Sequence, residues 1–232
     1  MTTHRFVELA DATPSDAVVV IDVLRAFTFE PWLYASGVTQ IYTVREREDA
    51  LELKASVLPD ALLAGEQKGE KIDTFDLGNS PTEAATSNVA GRTVVHRTTA
   101  GTQGLALTAG SGAAFAASFV NATATAKALA GLRPDTITYV VTGASLGRDG
   151  DEDLAAAELI AATFDAGKPV DASAFLARVP TSDAGQVFAE ERYPWATRKD
   201  LAMAMEHDRF DEALIATAVT AFDAVAVNRH RM

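Results

Sequence analysis

Short runs rich in β-branched and small apolar residues alternate with Ala-rich helical stretches along most of this chain, which confines it to the α/β class. The strand-like runs are residues 17–22 (AVVVID), 38–44 (VTQIYTV), 61–64 (ALLA), 93–97 (TVVHR), 113–117 (AAFAA), 136–142 (TITYVVT) and 222–227 (FDAVAV). Helical patterns fill 46–57, 81–88, 102–109, 121–131, 152–166 and 171–178, with two more across 198–219. This order predicts a layered α/β/α fold with a mixed or largely parallel sheet. No repeat, linker or low-complexity tract divides the 232 residues, so one domain is expected, with room for two sub-lobes.

The absence of cysteine removes disulfides and thiolate metal sites, and gives no support to an oxidising compartment. The opening MTTHRFVELADATPSD has no apolar signal core, and no apolar run approaches the roughly 18 residues of a membrane span. A cytoplasmic protein without a membrane partner is expected. A net charge of −12, with no basic stripe interleaved with aromatics, works against nucleic acid as a partner. With so much acid, a phosphorylated ligand needs a local positive centre, either a metal or a few placed Lys and Arg side chains.

In such sheets ligands collect beyond the carboxyl ends of strands, and several of these turns are polar. Asp22 closes an apolar run and Arg25 follows within one turn; an acid so placed needs a partner, and a local Asp22–Arg25 pair is the simplest one. GEQKGEKIDTFDLGNSP is a long connection carrying Glu66, Lys68, Asp73 and Asp76. Within FDLGNSPTE, Ser80, Pro81 and Glu83 have the types and spacing of a capped helix start. Asp76 and Asn79 are left over, beside the free N–H groups of a helix start that suits anions. RTTAGTQG brings Thr98, Thr99, Gly101 and Thr102 to another helix start, where they cap or cradle phosphate, and Asn121 is an N-cap by type.

TGASLG matches the G-x-S-x-G nucleophile elbow at Ser145, with Asp183 and His207 downstream in hydrolase order. A serine esterase is therefore one reading, although GRDGDED delays the following helix until Leu154. A catalytically silent binding module for a phosphorylated or carboxylated metabolite is another. DGDED places acids at a helix N-terminus, where the macrodipole favours them. It also allows Glu152 or Asp153 to join Asp22, Glu66 and Asp76 in an oxygen-only site for a hard cation, for which Mg²⁺ is the natural choice.

VVVIDVLRAFT, GEQKGEKIDTFDLGNSPTE, RTTAGT, SFVNATATAKAL and GDEDLAAAELI, in this order over residues 17 to 165, resemble the successive motifs of the 2-phosphosulfolactate phosphatase family. The resemblance implies an α/β, Mg²⁺-dependent, homodimeric phosphatase, associated with coenzyme M biosynthesis, that hydrolyses 2-phosphosulfolactate to 3-sulfolactate and phosphate. On this reading Asp22, Asp76, Glu152 and Asp153 hold the metal, while Arg25 and Lys68 neutralise charge developing on the phosphoryl group. Asp22 or Glu66 orients the attacking water, or Asp22 attacks directly. Asn79, Ser80, Thr98, Thr99, Gly101, Thr102 and Asn121 hold the substrate.

Three positions depart from the family pattern. Its usual Gly-Glu-Arg is Gly65-Glu66-Gln67 here, its Thr-Asn-Gly-Thr is Thr99-Ala100-Gly101-Thr102, and Glu158 stands where a small residue is usual. A fixed cation has become a neutral amide, so phosphorylated 2-hydroxy carboxylates without a sulfonate are expected to be substrates at least as good as phosphosulfolactate.

Overall fold

The computed structural model describes residues 1–108, 110–219 and 224–231. One end each of the strand expected over 222–227 and the helix expected over 102–109 lies outside the described residues, as does the side chain of Ser145.

In chain order the elements are β1 (Thr3–Glu8), β2 (Ala17–Ile21), α1 (Ala26–Ala35), β3 (Gln40–Thr43), α2 (Arg47–Ser56), β4 (Leu62–Gln67), β5 (Glu70–Lys71), α3 (Pro81–Thr86), β6 (Thr93–Arg97), α4 (Gly101–Leu107), β7 (Ala113–Ala117), α5 (Ala122–Leu132), β8 (Thr136–Val141), α6 (Asp151–Ala166), α7 (Ser173–Leu176), α8 (Asp183–Ala189), α9 (Arg198–Ala204), β9 (Ala213–Ala218) and β10 (Val225–His230). They build the expected layered α/β architecture around one mixed sheet, ordered β1-β8-β2-β7-β9-β10-β3-β6-β4-β5.

Two parallel blocks, β1-β8-β2-β7 and β3-β6-β4, are joined by the antiparallel pair β9-β10. Three successive antiparallel steps reverse one block relative to the other. Strand twist of roughly 20–25° per step then swings their carboxyl ends toward each other. The turns after β2, β4 and β6 therefore meet at one cleft, instead of lying on opposite rims.

The fully buried β2, AVVVI, separates two cores. On one face Val19 and Ile21 pack with Phe115, Tyr139 and the Ala-rich side of α6. On the other, Val18 and Val20 pack with Phe27, Phe29 and Leu33 of α1 and reach Ile41 and Val94 of the second block. Hence α1 is the wedge between blocks, and eight of its ten residues are buried. A helix buried almost all round carries no amphipathic period, so none was legible in AFTFEPWLYA.

The two helices expected across 198–219 are corrected to one helix, α9, and one strand, β9. ALIATA has no strong β preference, but it lies between β7 and β10 and its backbone pairs with both. No helix among the described residues is long and apolar enough to cross a membrane.

Candidate active site

Asp22 ends β2 inside the protein. Its Oδ1 accepts from the Ala26 N–H at 3.0 Å, at the start of α1, while Oδ2 accepts no hydrogen bond from the described residues. Burial, followed by the nearby Glu66 and Glu152 carboxylates, pushes its carboxyl up to about 6. The first residue of α4 explains how a helix start can lie against it: a Cβ on Gly101 would stand 2.7 Å from Asp22 Oδ2. Glycine is required there by proximity.

Glu66, at the end of β4, ties two turns together. Its Oε1 accepts from Thr99 N–H at 2.6 Å; its Oε2 accepts from Gly69 N–H at 2.5 Å and from the Thr99 hydroxyl at 3.1 Å. Both oxygens are engaged by these turns, so Glu66 shapes the cleft that it lines. Lys68 and Gly69, with φ of 54° and 90°, form the two-residue turn between β4 and β5. Gly69 is held against the Trp195 ring, where a Cβ would stand 2.3 Å from ring carbon.

Arg25 does not pair with Asp22. Its guanidinium lies 3.3 Å from the fully buried Asp200 carboxylate, donates to the backbone carbonyls of Trp195 at 2.6 Å and Gly69 at 3.1 Å, and stands 5.2 Å from each of the Phe188 and Trp195 ring centres. Asp200 also accepts from the Ser80 hydroxyl at 2.7 Å and from the Thr82 N–H at 3.1 Å. Ser80 caps α3 as expected, accepting from Glu83 N–H at 3.2 Å, but its hydroxyl proton goes to Asp200.

Asp22, Arg25, Glu66, Asn79, Thr99, Ala100 and Arg148, with Phe188 and Trp195, line a cleft with about 40 Å³ of free volume, room for about one or two waters. A basin of about 430 Å³ shares Arg148 and Trp195 with it and adds Lys68, Arg192 and Tyr193. Arg148 forms no ion pair among the described residues and is thus an available positive group at the cleft.

Other expected site residues are engaged elsewhere. Thr98 and Thr102 cap each other at the start of α4, with Thr98 N–H to Thr102 Oγ1 at 2.9 Å and Thr102 N–H to Thr98 Oγ1 at 3.1 Å. Asn121 is fully buried in a local cap, accepting from Ser118 N–H and donating to the Ala116 carbonyl. Lys68 and Gln67 lie at the exposed hairpin and border a separate surface basin of about 600 Å³ with Arg47 and Lys71. Asp153 clamps β2 to β8: its oxygens accept from Val23 N–H and Gly143 N–H, each at 2.8 Å. Burial, then Glu152 and Asp22, push its carboxyl well up. Glu158 pairs with Arg178, which also pairs with Asp151, so this departure fastens the segment after α7 onto α6.

Asp76 lies outside the cleft lining. Its Oδ2 accepts from Leu63 N–H at 2.8 Å and from Lys54 Nζ at 3.2 Å. Burial works to raise its carboxyl, but those two bonds hold it below the ordinary range. Asp76→Asn is expected to leave phosphate release, with or without added Mg²⁺, within about twofold of the parent and to cost about 1 kcal/mol. Parallel Mg²⁺ titrations and urea unfolding check this; a tenfold loss of turnover in a protein of equal stability would restore Asp76 to the site.

The esterase constellation is not assembled. Asp183 Oδ2 accepts from Asp149 N–H at 2.9 Å, and His207 pairs with Asp208 at 3.1 Å. Residues 143–146 form a short 3₁₀ turn, and α6 begins only at Asp151, so Ser145 does not open a helix.

Four residues of this neighbourhood were not singled out in the sequence: Arg148, Trp195, Asp200 and the buried His96, whose Nε2 lies 3.2 Å from Asn79 Oδ1. Thr197 three residues before Asp200 is a helix-cap signature, and its side chain does accept from Asp200 N–H at 3.1 Å. His96 interrupts a buried apolar strand, where a polar group needs partners.

A family model described as 2-phosphosulpholactate phosphatase matches residues 4–218, a span that takes in Asp200. A probable 2-phosphosulfolactate phosphatase of Bacillus subtilis (strain 168) is 33% identical over 194 residues, 81% of each chain. Proteins of the same description from Deinococcus radiodurans and Thermus thermophilus are 41% identical over 154 residues and 38% identical over 147 residues. Those two matches cover 66% and 63% of this chain, and 63% and 60% of the relatives.

Proposed function

The chain belongs to the 2-phosphosulfolactate phosphatase family, and on that premise we propose that it is a phosphoric monoester hydrolase acting on a small phosphorylated 2-hydroxy acid. The observation that carries this reading is Asp22: a buried carboxyl pushed up to about 6, with one oxygen unbonded among the described residues, in a cleft with the Asn79 amide and with Arg148, which no described residue pairs. A base poised near neutral pH, facing donors suited to an oxyanion, fits hydrolysis of a phosphate ester. In this mechanism Asp22 orients the attacking water and takes its proton. Arg148 and Asn79 hold phosphoryl oxygens, and Arg25, neutralised by Asp200, fixes the wall against which the ligand rests. The shared Arg148 leads to the basin with Lys68 and Arg192, which takes the substrate's second acidic group.

We include Mg²⁺ in the proposal, through a test of fit. Among the described residues no three acidic or histidine side chains are gathered to hold a metal by themselves. Asp22 Oδ2 accepts no hydrogen bond from the described residues, and the buried Glu152 Oε2 has no hydrogen-bond partner among them. One or two carboxylates completed by phosphate oxygens and water are the usual Mg²⁺ environment, and this donor set would fit that pattern with Glu152 as a direct ligand and Asp22 reached through the water that it orients. When bound, Mg²⁺ would neutralise phosphoryl charge and polarise its oxygens. A homodimer working in the cytoplasm, with 2-phosphosulfolactate as substrate, completes the reading.

Release of phosphate from a panel of phospho-2-hydroxy acids, with and without Mg²⁺, tests it. Tight binding without turnover would instead make this a silent binding module. Within the reading, Arg148→Gln should lower kcat/KM by about one to two decades, the worth of one charge-assisted bond of about 1.5–3 kcal/mol. Unchanged kinetics would remove Arg148 from ligand binding.

A further inference from the structure

His96 lies fully buried in β6 between two side chains. Its Nδ1 is 2.9 Å from Glu30 Oε1 of α1, its Nε2 is 3.2 Å from Asn79 Oδ1, and the Phe29 ring, with its centre 5.1 Å away, packs beside it. Glu30 is equally buried, and its Oε2 has no hydrogen-bond partner among the described residues. The reaction described above uses neither residue. A buried carboxyl, an imidazole and an amide in series need a purpose beyond packing, because apolar residues of similar size would fill the same space without the desolvation penalty.

The proton count is constrained. An amide oxygen only accepts, so the 3.2 Å contact requires a proton on Nε2. Placing the proton between Nδ1 and Glu30 on either partner leaves that requirement unchanged. Burial pushes the Glu30 carboxyl up while His96 pulls it down. With Oδ1 engaged by His96, the Asn79 Nδ2 donates to no described residue, and Asn79 lines the cleft. It is the only side-chain amide in that lining.

We infer that His96 is a positioning residue: held by Glu30 from α1, it fixes the Asn79 amide so that Nδ2 donates into the cleft to an anionic oxygen of the ligand. Without that anchor an asparagine amide can turn over and present its oxygen, which repels a phosphoryl oxygen where its nitrogen attracts one. The anchor thus sets the sign of the Asn79 contact. It also couples α1, α3 and β6, the elements that bring the two blocks of the sheet together. The inference rests on the proposed phosphatase reading for turnover, but not for the tautomer or for phosphate binding.

Long-range ¹H–¹⁵N spectra of the parent at neutral pH should show a proton on Nε2 of His96. An unprotonated Nε2 overturns the inference whatever the protein's activity. Titration with inorganic phosphate should then show His96→Asn and Asn79→Ala each weakening binding about tenfold, and the double variant no weaker than Asn79→Ala alone. His96→Gln, whose amide N–H extends toward the Nε2 position, should recover most of the affinity and decides the matter if His96→Asn fails to fold. Parent-like phosphate binding by folded His96→Asn, multiplicative losses in the double variant, or a parent that binds no phosphate would each overturn it. A parent that binds phosphate but cleaves no ester would instead defeat the phosphatase reading and leave this inference standing.

Discussion

Asp22→Asn protein should melt higher than the parent at neutral pH when both are metal-free, and with Mg²⁺ present should release phosphate at least about 10²-fold more slowly, the lower end of what a positioned base contributes. The two effects have one cause. Asp22 is buried, and its carboxyl is pushed from 3.8 to about 6 by desolvation first, then by Glu66 and Glu152. A group whose folded pKa lies above its unfolded value favours folding while protonated, and that contribution is lost as pH rises through about 4 to 6. Above this window the ionised carboxylate is a burden on the order of 3 kcal/mol, which asparagine does not carry. In a chain of 232 residues this corresponds to roughly 6–12 °C in melting temperature. The gap between variant and parent should open between about pH 4 and pH 6 and level off above. Melting curves in chelator across this range, beside phosphate-release assays, give both readouts. A pH-independent gap would remove burial as the source of the shift, and parent-like turnover would remove Asp22 from the chemistry.

How much of this could be read in the sequence follows from which interactions are local. β2, β6, β7 and β8 announce themselves as short apolar runs because both faces of each are covered. Ser80 as a cap was legible because the cap and its target N–H lie three residues apart. The partners of Arg25 were not: Asp200 lies 175 residues away, and spacing favoured the nearby Asp22. The same applies to Glu66, whose acid character suggested metal chemistry until the Thr99 N–H, 33 residues on, was seen to engage it. The placement of Asp76 was hidden for a related reason. Asn79 of FDLGNSP lines the cleft, yet the Asp76 side chain turns to Leu63 N–H and Lys54. In the FDLGNSP string Asn79 thus faces the cleft, Ser80 caps α3, and Asp76 fastens the rear.

Asp200→Asn should destabilise the protein by about 3–5 kcal/mol, the usual consequence of removing one partner of a buried ion pair. Neither member can be solvated in compensation: the Asp200 side chain is 0% exposed and that of Arg25 is 5%. Asparagine keeps an oxygen for the Ser80 hydroxyl and the Thr82 N–H, so the hydrogen bonds at the start of α3 survive while the charge opposite Arg25 disappears. Burial already pushes the Arg25 guanidinium down, and Asp200 is the leading group that holds it up. The cation then retains the Trp195 and Gly69 carbonyls, the faces of Phe188 and Trp195, and the weaker pull of the Glu66 and Asp22 carboxylates. If the uncompensated charge is the cause, adding Arg25→Met should return at least about half of the lost stability, because the pair is replaced by a side chain that packs on the same rings. Turnover should stay low in both variants, since Arg25 forms part of the cleft wall. Urea unfolding of the parent, the single variant and the double variant separates the terms, provided the slope with denaturant is unchanged. A single variant within about 1 kcal/mol of the parent, or a double variant no more stable than the single, would show that the network rests on its hydrogen bonds and not on the charge pair.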